Sequence, residues 1–282
     1  MPELPEVETI ARGLNQSVAG EVIESVWLGG KPEPLKSPAK EIVAVLERAR
    51  IAGVCRVGKH IVFDLERPQR NGRRRSSERG QWIVHLGMTG RLLIADPETE
   101  TAKHTHAILS LASGRELRFV DSRRFGRLAV ARMESTQGAG FSAPGDDPLE
   151  AQSERFLALF HGRKTPIKSA LLNQKLLSGI GNIYADESLF RAAIRPRRRA
   201  ASLTRAELLK LHAAVQEVLR EAIGLGGSSV SDYVDAEGRE GFFQLQHRVY
   251  GREGEPCLKC GTPIKRVIIA GRSSHYCPHC QR

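Results

Sequence analysis

Residues 257–280 of the chain read CLKCGTPIKRVIIAGRSSHYCPHC, with a Cys-x-x-Cys pair at each end. Two such pairs at this separation can place four thiolates tetrahedrally around one zinc ion. A redox-active Cys-x-x-Cys pair is the alternative interpretation. The spacing favours one structural Zn²⁺ per chain, with Cys257, Cys260, Cys277 and Cys280 as its ligands.

The composition of the whole chain narrows the class of protein. Its 282 residues include 43 Lys+Arg against 32 Asp+Glu, a net charge of +11, and 40% hydrophobic residues, enough to build a core. No apolar run approaches the roughly 20 residues of a membrane-spanning helix. The first ten residues, MPELPEVETI, contain no basic residue, so we expect no targeting segment, a cytoplasmic location and no membrane partner. The positive excess indicates a polyanionic partner such as nucleic acid.

Two regions of different pattern follow one another along the chain. Short β-rich runs at 61–65, 81–86, 106–111 and 116–120 are bounded by turn residues, which is typical of a sandwich or barrel. GAGFSAPGDDP at 138–148 indicates a linker, and beyond it the apolar residues recur at helical spacing. This spacing predicts helices over 167–177 and 183–190, and Thr204 with Glu207 predicts a capping box at the start of a third helix. The pattern therefore predicts a sheet domain followed by a helical one.

The arginine-rich stretch ERPQRNGRRRSSERG at 66–80 holds six arginines against two glutamates. One interpretation is a solvated hairpin that carries no function. The other is an auxiliary arm that binds phosphates.

The extreme N-terminus, PELPEVE at 2–8, carries the most unusual chemistry. A helix that begins here would explain Pro5 and the acidic first turn, but it would give no reason for a proline directly after Met1. Removal of Met1 would leave Pro2 with a free secondary amine. The pKa of such an α-amino group is about 8, so it is a ready nucleophile.

Five motifs spread over the whole chain make it resemble the bacterial formamidopyrimidine-DNA glycosylases. They are PELPEVE at the start, HLGMTG at 85–90, DSRRFG at 121–126, GIGNIYADE at 179–187 and the terminal YCPHCQR. Ser122 departs from the family, which often has proline there, and the 66–80 insertion is outside the usual pattern. Leu4 separates the chain from the related endonuclease VIII branch, which typically begins Pro-Glu-Gly-Pro-Glu.

The resemblance implies a multidomain α+β fold. We expect an N-terminal β-sandwich with flanking helices at 1–135, a linker at 136–150, a helix-two-turns-helix domain with a lesion-capping loop at 151–245, and a zinc finger hairpin at 246–282. It also implies a monomer that binds damaged double-stranded DNA across a basic cleft.

The resemblance assigns roles at the reacting centre. Pro2 would attack C1′ of the damaged nucleotide, and Glu3 would donate a proton. Lys59 would assist β-elimination, and Arg272 at the tip of the zinc hairpin would assist δ-elimination. Glu6 would either orient the site or cap the first helix.

Further residues match the DNA-contacting positions of the family. Met88, Arg123 and Phe125 would fill the void left by the flipped base, a role that suits a thioether, a planar cation and an aromatic ring. Core packing is the alternative for Met88 and Phe125. The other expected DNA contacts are His104, Arg123, Arg163 and Asn182.

Together these features predict a bifunctional DNA glycosylase and AP lyase that excises oxidised purines, 8-oxoguanine and formamidopyrimidines, in base excision repair. An endonuclease VIII-like enzyme for oxidised pyrimidines and a non-catalytic zinc-ribbon DNA-binding protein are the alternatives.

Overall fold

The computed structural model describes residues 1–71, 74–133, 140–230 and 233–282 of the chain. It divides into two compact units. The N-terminal unit comprises Met1–Pro2, Glu6–Ser142 and Ser228–Gly241, and the C-terminal unit comprises Glu3–Pro5, Ala143–Gly227 and Phe242–Arg282.

The N-terminal unit is built on two antiparallel four-stranded sheets, with strand orders β1-β6-β7-β5 and β2-β3-β4-β8. Its strands are β1 (Ile23–Leu28), β2 (Arg50–Val57), β3 (His60–Asn71), β4 (Arg74–His85), β5 (Arg91–Ala95), β6 (Thr105–Leu111), β7 (Glu116–Val120) and β8 (Arg127–Met133). Two helices, α1 (Leu4–Val18) and α2 (Ala39–Leu46), accompany the sheets. The predicted sandwich with flanking helices is confirmed.

One apolar core joins both sheets, because alternate residues of each strand face inwards. Phe63 of β3 packs on Trp82 of β4 with ring centroids 4.8 Å apart, and both are fully buried. Leu109 and Phe119, from the other sheet, lie in the same cluster. All four β-rich runs of the sequence form strands of these sheets, although β4 ends at His85, one residue before the end of the run at 81–86.

The C-terminal unit begins with helices α3 (Ser153–Phe160), α4 (Ile167–Leu171), α5 (Asn182–Arg191) and α6 (Arg205–Gly224). Thr204 and Glu207 form the capping box of α6, with the Glu207 amide donating to the Thr204 hydroxyl at 3.2 Å, as the sequence predicts. The helix expected over 167–177 is wrong in length. It stops at Leu171, and the Asn173 side chain then accepts the Lys175 amide at 3.0 Å in a turn.

The chain ends in a small hairpin of strands β9 (Lys265–Ile269) and β10 (Arg272–Tyr276), paired antiparallel. The Cys-x-x-Cys pairs flank it on both sides. Its apolar cluster is small, consisting of Val249, Cys257, Ile264 and Cys277. A core of this size does not hold a hairpin by itself, so a metal cross-link fits the structure.

Two regions singled out in the sequence fall partly outside the described residues. The 66–80 insertion continues β3 and β4, and its residues 72–73 are not among the described residues. Residues 134–139, which include the start of the predicted linker, are not described either. At the base of the insertion, Arg67 pairs with Glu78 at 3.9 Å and Arg79 with Glu66 at 3.4 Å. Among the helices that are described, none has the length and apolar character needed to cross a membrane.

Candidate active site and zinc centre

Glu3 lies at the N-terminus of helix α5. Its side chain is buried, and Oε1 accepts the Ile183 amide at 3.2 Å. Gly181 precedes the helix, and a Cβ there would lie 2.2 Å from Cδ of Glu3, so only glycine leaves room for the carboxyl group. The carboxyl group is therefore held in a fixed position directly next to Pro2 in the chain.

Lys59 lies in the tight turn between β2 and β3 and is 9% exposed. Gly58 in this turn has φ +61°, a left-handed conformation that favours glycine. Arg56 supports the turn, because its guanidinium donates to the Gly58 carbonyl at 3.2 Å and to Glu8 of helix α1 at 2.7 Å. Lys59 is thus presented by a braced turn.

Glu6 contacts the loop that follows helix α6. Its Oε1 accepts the Ser228 amide at 2.8 Å, and its backbone carbonyl accepts the Tyr233 hydroxyl at 3.4 Å. Burial, and then the Glu6 charge, raise the pKa of Tyr233. Neither of the two roles expected for Glu6, orienting the site or capping the first helix, includes these contacts, which attach Glu6 to the loop after α6.

Helix α5 contacts the zinc hairpin through Asn182, next to Arg272 and within the C-terminal unit. Asn182 is the first residue of α5, and its Nδ2 donates to the Ser273 hydroxyl at 3.2 Å. Arg272 is exposed at the start of β10, directly before Ser273. The structure therefore brings Glu3, Asn182 and Arg272 together around the start of α5.

A buried ion pair that the sequence reasoning missed stands behind these residues. Lys168 Nζ lies 2.7 Å from Asp186 Oδ1, with both side chains fully buried, and donates to the Ser273 carbonyl at 2.5 Å. Asp186 Oδ2 accepts the His275 amide at 2.9 Å. Burial lowers the pKa of Lys168, while Asp186 opposes that shift. The pair fixes β10, and with it Arg272, on helix α5.

Glu187, next along α5, makes a second buried attachment. Its carboxylate accepts the amides of Arg248, Val249 and Tyr250, with Oε1 2.8 Å from the last. Burial raises its pKa, and these donors oppose the shift. Asp186 and Glu187 both belong to the motif GIGNIYADE. Two adjacent acids in a helix with so few charges were the signal from which the sequence could have predicted buried attachments.

The four cysteine sulfurs lie within 4.8 Å of one another. Cys257 and Cys280 are 4.0 Å apart and Cys260 and Cys277 3.5 Å apart, close to the roughly 3.8 Å edge of a tetrahedron with Zn–S bonds of about 2.3 Å. The donor set of four thiolates suits zinc and leaves no open position for water. These residues would hold one structural ion.

Met88, Arg123 and Phe125 lie on loops of the β-sandwich. Met88 is 42% and Phe125 51% exposed, which disagrees with the alternative of core packing. The Arg123 guanidinium lies 4.8 Å from the centre of the Phe125 ring. The loops thus present a thioether and a cation-capped aromatic ring to solvent.

The two remaining expected DNA contacts, His104 and Arg163, are exposed side chains in different units. The backbone carbonyl of His104 accepts the Asp121 amide at 2.9 Å. Arg163 Nε donates to the Leu159 carbonyl at 2.5 Å, at the end of helix α3.

Comparison with known families covers most of the chain. Residues 1–128 match the formamidopyrimidine-DNA glycosylase N-terminal domain, residues 145–234 its H2TH domain, and residues 254–282 the zinc finger found in FPG and IleRS. The zinc expected from the four cysteines is thereby confirmed as part of a known zinc finger type.

Individual proteins agree over the full length. The chain is 46% identical over 288 residues to the formamidopyrimidine-DNA glycosylase of Solibacter usitatus and 43% identical over 287 residues to that of Desulfitobacterium hafniense, covering 100% of each chain in both cases. It is also similar to the crystal structure of MutM (Fpg) from Thermus thermophilus, with TM-score 0.82, 41% identity, and 99% and 98% coverage. The complex between Lactococcus lactis Fpg and DNA containing an abasic site matches with TM-score 0.86, 31% identity and 99% coverage of both chains. The chain belongs to the formamidopyrimidine-DNA glycosylase family.

Proposed function

We propose that this chain is a bifunctional DNA glycosylase and AP lyase of base excision repair, with damaged double-stranded DNA as its substrate and oxidised purines as the excised bases. The observation that carries the proposal is Glu3, which is buried at the N-terminus of α5 and directly follows Pro2. A nucleophilic amine and a fixed carboxyl group are the two groups that this reaction needs side by side.

The first half of the reaction removes the base. After Met1 is removed, the nitrogen of Pro2 attacks C1′, the bond from C1′ to the base breaks, and the base leaves with the electron pair and takes up a proton. The Pro2 nitrogen loses its own proton to the departing base, and Glu3 protonates the sugar oxygen O4′ as the C1′–O4′ bond opens. The product is an iminium cation between Pro2 and the open sugar, with no N–H proton left to lose.

The second half cleaves the strand. The iminium acidifies the C2′ proton, whose removal expels the 3′ phosphate by β-elimination; loss of a second proton expels the 5′ phosphate by δ-elimination. Lys59, on its braced turn, assists the first step. Arg272 binds the phosphates beside the lesion and assists the second.

The remaining residues hold the DNA and do not touch reacting atoms. Met88, Arg123 and Phe125 fill the void left by the flipped nucleotide, and His104, Arg163 and Asn182 contact the backbone. Glu6 fixes the loop that encloses the flipped base. The zinc ion is structural and holds the hairpin that carries Arg272.

Several finer points complete the proposal. The domain limits at 135, 150 and 245 and a monomeric state are proposed from the family resemblance, and a cytoplasmic location stays a prediction of the sequence. Leu4 places the N-terminal motif with the formamidopyrimidine branch, and that resemblance favours an oxidised-purine substrate over the oxidised pyrimidines of an endonuclease VIII-like enzyme. A non-catalytic zinc-ribbon protein would need neither Pro2 nor Glu3.

Borohydride trapping on a duplex with one 8-oxoguanine tests the mechanism. We expect a protein–DNA cross-link whose peptide map places the sugar on residue 2, with Met1 absent by mass spectrometry. Acetylation of the N-terminus should abolish the cross-link, whereas Pro2→Gly keeps a primary amine and some trapping. A cross-link on Lys59, or full cleavage by the acetylated protein, would contradict the role of Pro2 and leave DNA binding untouched.

A further inference from the structure

Two separate loops of the β-sandwich carry the void-filling residues. Met88 lies between β4 and β5, and Arg123 and Phe125 lie between β7 and β8. About thirty residues of chain separate them, so nothing in the covalent structure makes them act together. What joins the two loops in space decides whether they enter DNA as one body or as two.

Asp121 joins them through its carboxylate. Oδ1 accepts the Thr89 hydroxyl at 2.6 Å and the Arg123 amide at 3.2 Å, and Oδ2 accepts the Gly126 amide at 2.7 Å. Asp121 is fully buried. A buried carboxylate with three donors fixes each of them firmly, because losing any one leaves charge uncompensated in a poorly solvated place.

A second contact between the loops is made by backbone alone. Gly87 has φ +66°, and a Cβ on it would lie 2.5 Å from the Phe125 carbonyl carbon and 2.6 Å from the Gly126 nitrogen. The loops therefore touch directly on the residue before Met88 and on Phe125 itself. Asp121 and this backbone contact are independent attachments, and two attachments restrict rotation as well as separation.

The intervening Arg124 points elsewhere. It adopts φ +58°, uncommon for a residue with a side chain, and its guanidinium pairs with Glu33 at 2.5 Å. This conformation leaves Arg123 and Phe125 stacked on each other and exposed.

We propose that Asp121 is a positioning residue that locks the Met88 loop to the Arg123–Phe125 loop, so that the three side chains enter the duplex as one rigid wedge. The proposal rests on the proposed function, since the wedge has a purpose only where a nucleotide is flipped. Thr89 is the second half of the lock. The lock predicts that Met88 and Phe125 are energetically coupled and that the coupling depends on the Thr89 hydroxyl.

Thr89→Val is the variant that tests the lock, because Asp121→Ala strips several donors at once and destabilises the fold. Thr89→Ser keeps the hydroxyl and should restore wild-type behaviour. Ser37→Ala is the matched control, since it removes a hydroxyl that bonds the Val130 backbone at 3.1 Å and joins no loop of the wedge. Thermal unfolding of all three variants shows whether any change is merely structural.

The readout is insertion into DNA, measured without chemistry. 2-Aminopurine placed opposite a tetrahydrofuran abasic analogue changes its fluorescence when the wedge unstacks it. We expect Thr89→Val to weaken the insertion equilibrium about ten-fold, the size of one lost hydrogen bond to a charged group, with Thr89→Ser and Ser37→Ala unchanged. Excision of 8-oxoguanine should fall in parallel, and cleavage at a preformed abasic site should fall less.

A double-mutant cycle decides between one wedge and two. With Thr89 present, the loss of insertion in Met88→Ala/Phe125→Ala should differ from the product of the two single losses by about three-fold or more. In the Thr89→Val background, the loss in the double variant should equal that product. Multiplying losses in both backgrounds, or Thr89→Val behaving like Ser37→Ala, would overturn the lock. Normal insertion without any excision would instead count against the proposed function and leave the lock standing.

Discussion

The zinc hairpin and the void-filling loops present exposed side chains by different means. The loops rest on a core drawn from two four-stranded sheets, and a buried carboxylate aligns them locally. The hairpin has two five-residue strands and a very small apolar cluster, so it depends on its metal and on a few buried polar attachments to α5. A substitution in the hairpin should therefore unfold the whole hairpin, whereas a substitution in a void-filling loop should impair one step of the reaction.

Loss of a zinc ligand should give the largest effect. Cys257→Ser or Cys280→Ser should unfold the hairpin and weaken binding to damaged duplex by orders of magnitude, because apparent zinc affinities of about 10–16 kcal/mol are folding free energy. Metal content and DNA binding measure this. Cys55→Ser, which removes a free cysteine of β2, should change neither. Zinc-free protein with full activity would exclude the structural role.

Breaking the buried ion pair should come next. Lys168→Met leaves Asp186 charged and unpaired, which costs about 3–5 kcal/mol of unfolding free energy. The double variant Lys168→Met/Asp186→Leu should recover much of that loss, since it buries no charge. Denaturant unfolding of both proteins checks the prediction. Equal destabilisation in the two would mean that packing, not charge pairing, attaches the hairpin.

Phe125→Ala should affect one step. Stacking of a base on an aromatic ring contributes about 1–3 kcal/mol, so excision from duplex should slow about ten-fold or more. Cleavage at a preformed abasic site should change less, and Arg123→Ala should behave alike. Trp27→Ala, which removes another half-exposed aromatic ring of the same unit, serves as control. Equal losses on both substrates would assign Phe125 to the fold or to backbone contacts.

The arginine-rich insertion should give the smallest effect. Its net charge is +4, six Arg minus two Glu, and Arg67 and Arg79 already face Glu78 and Glu66. Deleting it should lower the salt slope of DNA binding by up to about 4, the result expected if the other four arginines meet phosphates. Replacing Arg67 and Arg79 should leave the slope unchanged. An unchanged slope after deletion would make the insertion a solvated hairpin.

Sequence reasoning succeeded where the signal was local. The strands over 61–65 and 116–120 and the capping box at Thr204 each depend on residues a few positions apart, and the zinc site depends on two such Cys-x-x-Cys pairs close together in the chain. Helix α4 ended earlier than periodicity suggests, because Asn173 satisfies a backbone amide in a turn instead of continuing the helix. Local patterns cannot weigh these two outcomes.

The candidate site was harder to predict from the sequence where its residues are held in place by residues distant in the chain. Lys168 looks like any solvated lysine until Asp186 and Ser273 surround it. Asp121 belongs to the motif DSRRFG, whereas its partner Thr89 belongs to the motif HLGMTG. A buried charge can be inferred only once its partner is known, and here each partner lies on a different element.

The carboxylate of Glu187 has a consequence for the amide protons that it holds. Three consecutive amides, of Arg248, Val249 and Tyr250, end on one buried acceptor, so they can exchange with deuterium only when the core around α5 opens. The backbone amides that pair β9 with β10 lie in a hairpin held by zinc and should exchange when the metal leaves, whereas the His275 amide, which donates to the buried Asp186 of α5, should exchange with the slow set. Deuterium uptake would therefore report loss of the metal and opening of the helical core separately within a short stretch of chain. A chelator would accelerate exchange of the hairpin amides and leave the exchange rate of the amides held by Glu187 unchanged.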